Sequence, residues 1–244
     1  YPTNKHGEHD FPETVTSFPS GLFGNNLHLK EFQIPEAIEH ISSTAFSGAL
    51  YLTDFMVTPN HPHFSSNDGV LFNKNGSILL RYPQGKHGAY SIPQSVVEIE
   101  YAAFSWCKGL ESISIPDSVQ ILGTASFSNC EKLEDVTIGN GISIIENATF
   151  SNCTNLEKIH FGNSIKKIEY GAFSDCTSIV NLTFPNSLTT IDDRAFSDCT
   201  SIINLTFPNS LTSIGIAAFY QCESLEKINF GSSITSIAAK AFSG

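Results

Sequence analysis

Residues 172–179 read AFSDCTSI, and the same eight letters return 23 residues later at 195–202. A fixed period between about 20 and 50 residues is the signature of a repeat architecture, in which similar units stack on one another. One position of this unit holds a phenylalanine in seven consecutive repeats: Phe104, Phe127, Phe150, Phe173, Phe196, Phe219 and Phe242. The chain of 244 residues is therefore predicted to fold as one elongated array and not as separate globular domains.

All six cysteines occupy a second fixed position, three residues after the phenylalanine: Cys107, Cys130, Cys153, Cys176, Cys199 and Cys222. An even number of cysteines invites a disulfide interpretation. In a stacked array, however, equivalent residues lie roughly 5 Å apart with parallel side chains, which does not give the dihedral angle of a disulfide. Zinc is disfavoured because its ligands must converge on one point. The two columns are therefore predicted to form a buried structural spine, with the thiols as small apolar filler making weak hydrogen bonds.

Each unit carries two apolar patterns separated by a turn. Leu156, Ile159 and Phe161 fit the pattern L-x-x-L-x-L, whose alternating end predicts a short strand. A turn follows, with glycine or proline at the same place in successive repeats. A second apolar pair, such as Ile165 and Ile168, comes next. A single unit cannot bury these side chains but stacked units can, so the strands of successive units are expected to lie side by side in one sheet.

The predicted domain boundaries lie where the 23-residue spacing begins and where it is interrupted. Residues 1–22 have no periodicity and are interpreted as an extended N-terminal segment and possible cap. Residues 23–244 are the repeat array, with an insertion at about 58–92. In the insertion, two apolar runs flank the turn sequence NKNG at 73–76, which predicts a β-hairpin acting as a brace or as an added binding surface. An array ending at residue 244 would lack a polar cap, so the natural chain is expected to continue or to have lost a terminal repeat.

These repeats resemble the leucine-rich repeat superfamily, and within it the BspA-like (Treponema pallidum type) subclass with its 23-residue unit. The motif stands here as LESISIPDSVQI at 110–121, followed by Ala125 and Phe127. The inserted DGVLFNKNG at 68–76, with Tyr82 and Pro83, is also similar to a segment common in such bacterial surface proteins. The resemblance covers residues 22–244. It implies an α/β-type leucine-rich repeat solenoid, rich in β-structure and shaped as a horseshoe or arc, with a parallel sheet on its concave face.

The resemblance also implies an extracellular or cell-surface location, as in proteins of host-associated bacteria and mucosal protozoa. From it we expect a non-catalytic module that binds a protein or glycan ligand, in adhesion to host extracellular matrix or cells, and a monomer. Because a fold does not fix a function, two alternatives stay open. They are a structural spacer without a specific ligand and an intracellular scaffold.

Composition and the absence of known motifs disfavour several classes of ligand and of chemical activity. The formal net charge of −11 disfavours nucleic acid and anionic membranes as ligands. No apolar run reaches the length of about 18 residues that a membrane span requires. The common catalytic, nucleotide-binding and metal-binding motifs do not occur, so no enzyme activity, cofactor or metal is expected. His61 and His63 lack further ligands at metal spacing, and the adjacent carboxylates Asp192 and Asp193 point apart.

The polar positions of the strand pattern are the candidate ligand-binding surface, because they face outward from the sheet. The first outward column contains Ser112, Asp135, Lys158, Asn181, Asn204 and Lys227. The second contains Ser114, Thr137, His160, Thr183, Thr206 and Asn229. Both columns are hydrophilic, carry mixed charge and lack aromatic residues. Lys158, His160, Lys227 and Asp135 are the first choices for ligand contact, and a merely solvated face is the alternative.

Trp106 interrupts a polar column. Asn129, Asn152, Asp175, Asp198 and Gln221 stand at its place in later repeats. These polar counterparts predict that the indole lies on the surface or packs under the inserted hairpin, and packing is the favoured interpretation.

Overall fold

The structure is a computed structural model that describes residues 11–244, so the first ten residues of the predicted N-terminal segment lie outside the described residues. The described chain is built from strands and turns and contains no helix, hence none that could cross a membrane. In chain order the strands are β1 (Ser17–Phe18), β2 (Glu31–Gln33), β3 (His40–Ile41), β4 (Asp54–Met56), β5 (Phe64–Asn67), β6 (Val70–Asn73), β7 (Ile78–Arg81), β8 (Gly88–Ser91), β9 (Glu98–Ile99), β10 (Leu110–Ile115), β11 (Ile121–Leu122), β12 (Asp135–Ile138), β13 (Ile144–Ile145), β14 (Lys158–His160), β15 (Lys167–Ile168), β16 (Asn181–Thr183), β17 (Thr190–Ile191), β18 (Asn204–Thr206), β19 (Ser213–Ile214), β20 (Lys227–Asn229) and β21 (Ser236–Ile237).

Two layers of parallel strands run along the array. Sheet A is formed at the L-x-x-L-x-L pattern by β2, β4, β8, β10, β12, β14, β16, β18 and β20. Sheet B is formed, mostly from two-residue strands, by β1, β3, β7, β9, β11, β13, β15, β17, β19 and β21. Pairing advances by one repeat, with Ser112 opposite Asp135 in sheet A and Lys167 opposite Thr190 in sheet B. The predicted parallel-sheet solenoid of 23-residue repeats is confirmed. The second apolar pair, for which no strand was predicted, forms sheet B.

The phenylalanine column stacks through the centre of the array. From Phe104 to Phe242, successive rings are nearly parallel, with centroids 4.6–5.4 Å apart. From Phe104 to Phe219, the turn that carries each ring places the residues two before and two after it in the left-handed region, at φ values between 51° and 63°. Asparagine and aspartate tolerate this conformation better than other non-glycine residues. This requirement explains why Asn129, Asn152, Asp175 and Asp198 share one position.

The cysteine column lies beside the rings. All six cysteines are buried and free, as the sequence predicted for a thiol ladder. Each thiol from Cys130 onward donates to the carbonyl of the column phenylalanine one repeat earlier, with sulfur-to-oxygen distances of 3.1–3.4 Å. Burial raises the pKa of all six thiols, and raises that of Cys222 to about 12.

These thiols are expected to resist alkylation by iodoacetamide in the folded protein at about pH 8, because the reactive species is the thiolate. Cys222 is the least buried, with 7% exposure, and is expected to react first. Mass spectrometry of a labelling time course measures the order, and protein in urea provides the fully labelled control. Rapid labelling of Cys153 or Cys176 before Cys222 would contradict the ladder.

The insertion is a three-stranded antiparallel unit and not only a hairpin. The predicted hairpin around residues 73–76 is confirmed by the pairing of β6 with β7. β5 adds a third strand to β6 through a turn at Asp68 and Gly69, with φ values of 49° and 69°. An Asp-Gly pair between extended segments is a strong hairpin signal, and it was available in the sequence. β7 also pairs with β9 in parallel, so the insertion is continuous with sheet B.

Tyr82 continues the phenylalanine column through the insertion. Its backbone N–H donates to Ala103 at 2.9 Å, as that of Phe104 does to Ser126 at 2.7 Å one repeat later. Its ring stacks on Phe104 with centroids 4.8 Å apart.

The apolar interior forms two core clusters that meet at the insertion. Phe18, Phe32 and Phe55 belong to the N-terminal core, and the repeats from Phe104 onward belong to the C-terminal core. β6 lies between them, because Leu71 packs into the first while Val70 and Phe72 pack into the second. This is the arrangement of a brace.

Candidate functional site

The outward columns of sheet A form an exposed polar surface. Lys158 and His160 on β14 are exposed, and Lys158 lies opposite Asp135 of β12. The His160 Nε2 atom lies 3.6 Å from the Asp135 Oδ1 atom. The structure therefore brings three of the four first-choice residues together. Lys227 is not among them, because it lies on β20, three repeats beyond β14.

The remaining predicted residues follow the same two lines. Ser112 precedes Asp135 in the first column, and Asn181, Asn204 and Lys227 continue it on β16, β18 and β20. The second column runs on through Thr183, Thr206 and Asn229. These later side chains contact one another, as shown by the Asn229 amide nitrogen lying 3.3 Å from the Thr206 hydroxyl. Beyond β16 they form a regular polar face that carries a depression of its own, of about 580 Å³.

Sheet A is interrupted at the insertion, between β4 and β8, and again between β14 and β16. β8 to β14 form one hydrogen-bonded group and β16 to β20 form another, with no ladder between them in the described chain. A cleft of about 680 Å³ lies between β14 and β16. Lys158, His160, Asn181 and Thr183 line its rim, together with Glu157 and Ser178. Ile159, Phe161 and Val180 supply its apolar surface.

Exposure of core positions distinguishes this cleft from the neighbouring repeats of sheet A. Ile159 stands in a column whose other internal members, Ile113, Val136 and Leu205, are buried, yet it is only half-buried. Phe161 is half-buried in the same way. The interruption coincides with a change of residue, because Phe161 is the first phenylalanine at the end of a sheet A strand, where earlier repeats have isoleucine. Its ring centroid is 6.1 Å from that of Phe184.

An interruption among the regular repeats of sheet B has no such effect. No ladder joins β11 to β13 among residues 11–244. The inward residues on either side, Leu122 and Ile145, nevertheless stay buried. A break in the ladder alone therefore does not open the core, and the cleft beside β14 has both a break and exposed apolar side chains.

The cleft combines polar side chains with an apolar floor. Lys158, Asn181 and Thr183 offer an ammonium, an amide and a hydroxyl as hydrogen-bond donors around an apolar floor. No group of three or more His, Cys, Asp or Glu residues within 11–244 could hold a metal ion. The chemistry fits recognition of carbonyl, carboxylate or hydroxyl groups.

Residues considered for chemistry elsewhere have structural roles. The Asp192 carboxylate lies 2.8 Å from the Lys167 ammonium, and the Asp193 carboxylate accepts the Ile216 backbone N–H at 2.6 Å. His61 is buried, and its Nδ1 atom accepts the backbone N–H groups of His63 and Phe64 at 3.2 Å. The carboxylates and His61 thus fasten neighbouring segments.

The favoured prediction for Trp106 is wrong. The indole is 44% exposed, and the Lys108 ammonium lies 5.2 Å from its ring centroid. Its φ of 63° places it in the left-handed turn, where the smaller polar residues of later repeats are half-buried. A larger side chain at this position extends further into solvent.

Stacked parallel strands with a 23-residue period, an inward spine and a variable outward face define the class of repeat solenoids. The family model for the BspA type leucine rich repeat region matches six copies, at residues 3–74, 86–202 and 123–244. The chain therefore belongs to the BspA-type leucine-rich repeat family.

Solved structures of similar proteins have the same fold. A leucine-rich repeat protein from Eubacterium ventriosum has 26% identity and a TM-score of 0.77, over 92% of this chain and 66% of that chain. A leucine rich cell surface protein from Faecalibacterium prausnitzii has 27% identity and a TM-score of 0.65, over 91% and 59% of the two chains. The Treponema pallidum leucine rich repeat protein has 27% identity and a TM-score of 0.62, over 74% and 85%. The chain thus spans less than two thirds of the first two relatives. No match was found among the curated proteins.

Proposed function

We propose that the chain is a non-catalytic binding module of a cell-surface protein, and that the cleft between β14 and β16 anchors its ligand. The surface location is supported by the likeness to the Faecalibacterium prausnitzii cell surface protein at 27% identity. The ligand site is supported by one observation in particular. Ile159 and Phe161, which belong to the core by their position in the repeat, are accessible beside Lys158 and His160.

An extended segment of a protein fits this cleft better than a glycan does. An extended peptide can place an apolar side chain on Ile159 and Phe161 while its backbone bonds to Asn181 and Thr183. Sugar rings are usually bound on a fully exposed aromatic plane, whereas Phe161, the phenylalanine of the cleft floor, is half-buried. Binding to extracellular matrix proteins of a host, as in adhesion, is the role that this chemistry favours within the proposal.

The test compares two double variants that each remove one lysine and one polar residue from the same two columns. Lys158→Ala with His160→Ala alters the cleft, and Lys227→Ala with Asn229→Ala alters β20 outside it. Binding to immobilised matrix proteins and to a glycan array is measured by surface plasmon resonance and fluorescence. We expect a loss of about tenfold in affinity for a protein ligand in the first variant, equivalent to ~1.4 kcal/mol, and less than about twofold in the second.

A structural spacer is the second candidate function. It is favoured by the regular, aromatic-free face of β16, β18 and β20, whose asparagine and threonine side chains bond to one another. A spacer would bind neither the matrix proteins nor the glycans. Equal losses of affinity in the two double variants would count against the cleft as the binding site. Binding to glycans alone would mean that the ligand is a sugar and not a protein.

A further inference from the structure

A second cavity, of about 170 Å³, lies at the seam between the two cores. Phe46 and Leu71 of the N-terminal core line it, as do Leu80 and Arg81 at the end of the inserted unit. Its remaining wall consists of Ile41, Ser42, Ser43 and Glu100, all of which are half-buried, so the cavity reaches the surface on this side.

Arg81 is a buried cation that lines this cavity and has an unpaired donor. Its side chain is 4% exposed, and Nη1 donates to the Ala102 carbonyl at 2.5 Å. Its Nη2 atom is buried and has no hydrogen-bond partner among the described residues. No described carboxylate lies within 4.0 Å of the guanidinium, although Glu100 lines the same cavity.

Such an arrangement is costly without a ligand. Desolvation lowers the pKa of Arg81, and a guanidinium stays charged in proteins, so it cannot escape burial by losing its proton. A buried charge without a partner opposes folding far more strongly than an exposed one. A planar carboxylate is the group that matches a guanidinium best, because it accepts two N–H donors at once.

We propose that this cavity binds a short-chain carboxylate, with the carboxylate group on Arg81 and the aliphatic tail against Ile41, Leu71 and Leu80. The Ser42 and Ser43 hydroxyls line the cavity as further polar groups. An apolar cavity of about 150 Å³ holds a benzene molecule, so this one has room for about six non-hydrogen atoms, the size of butyrate. The site is separate from the cleft on sheet A and does not depend on the function proposed for it.

Glu100 provides a second test, because its substitution should tighten carboxylate binding, whereas substitution of Arg81 should weaken it. Its Oε2 atom accepts the Tyr101 backbone N–H at 3.2 Å, so the carboxylate is held at the rim of the cavity. A negative charge there repels a bound carboxylate. Glu100→Gln is therefore expected to tighten butyrate binding about threefold, whereas it would weaken binding of an amino acid, whose ammonium group would use Glu100.

The probe is sodium butyrate, titrated by isothermal calorimetry and by thermal unfolding against sodium chloride of equal ionic strength. Wild type is expected to bind butyrate and to gain thermal stability. Arg81→Met is expected to fold, because an apolar residue of similar size relieves the buried charge, and to lose at least about tenfold in affinity. Arg194→Met removes the other arginine of the chain, which is exposed, and should leave binding unchanged.

Three results would overturn the proposal: no butyrate binding to wild type, unchanged binding in Arg81→Met, or weaker binding in Glu100→Gln. Sodium phosphate and alanine are titrated in parallel. Phosphate binding as tight as that of butyrate would mean that the cavity binds anions in general. Tighter binding of alanine would mean that its ligand is a zwitterion. Glu100→Gln keeps the test valid if Arg81→Met fails to fold, since Glu100 is at the rim.

Discussion

Replacement of Phe173 by alanine is expected to lower the free energy of unfolding by about 3–5 kcal/mol. The ring is fully buried between Phe150 and Phe196, with centroid distances of 5.2 and 5.0 Å. It also meets Phe161 edge-on at 5.8 Å. Alanine leaves a cavity that both neighbouring repeats share, and the stacked units on either side cannot move together to fill it, because sheet B and the cysteine hydrogen bonds fix their spacing.

Phe230→Ala is the matched control for this change. Phe230 is also a phenylalanine of the repeat, but it is 50% exposed at the last sheet A turn of the described chain. Its removal should cost less than about 1 kcal/mol. Urea unfolding followed by circular dichroism measures both variants. Similar losses in the two would mean that the stacked column does not carry the stability of the array.

The spine could be predicted because each of its residues repeats at one spacing. Phe173 and Cys176 recur with identical neighbours, so a single pattern fixes their burial, their stacking and the absence of disulfides. The outward direction of Lys158 and Asn181 followed from the same alternation. Periodicity therefore gave the fold and the orientation of each side chain.

The candidate sites could not be predicted, because both arise where the repeat is broken. The cleft depends on how far β14 and β16 separate, and the replacement of isoleucine by Phe161 is its only local signal. Arg81 follows three apolar residues at the end of a strand, where a charged residue would ordinarily face solvent. Its burial results from the docking of the inserted unit against the following repeat, where Nη1 donates to the Ala102 carbonyl. This contact joins segments that the repeat pattern does not relate.

The junction of the two cores could not be predicted either, because the insertion breaks the 23-residue spacing. Tyr82 lies 36 residues after Phe46 and 22 before Phe104, so it falls outside the 23-residue spacing. Two residues later, the Gln84 side chain takes the place of a backbone group. Its Oε1 atom accepts the Gly48 N–H at 2.9 Å, and its Nε2 atom donates to the Ser105 carbonyl at 2.7 Å. In regular repeats the equivalent N–H, such as that of Asn25 or Asn129, donates to a backbone carbonyl of the next repeat.

Gln84→Leu is therefore expected to cost about 2–4 kcal/mol, because it leaves the Gly48 N–H and the Ser105 carbonyl without partners in a buried setting. The leucine has nearly the same size, so the loss measures hydrogen bonding and not packing. Gln84→Glu should lose less stability at the Gly48 contact than Gln84→Leu does, since glutamate keeps an acceptor there. It also places a carboxylate against the Ser105 carbonyl. Gln120→Leu, at an exposed glutamine, is the control and should change stability by less than about 0.5 kcal/mol.

The measurement must report on each core separately, because the residues bridged by Gln84 lie on opposite sides of the insertion. Trp106 is the only tryptophan and directly follows Ser105, so its fluorescence follows the C-terminal side. Hydrogen exchange at Phe32 and Phe55, in β2 and β4, follows the N-terminal side. If Gln84 couples the cores, Gln84→Leu should accelerate exchange in β2 and β4 at urea concentrations where Trp106 fluorescence is still native. A joint transition at unchanged urea midpoint would show that β6, packed between both cores, couples them without the glutamine.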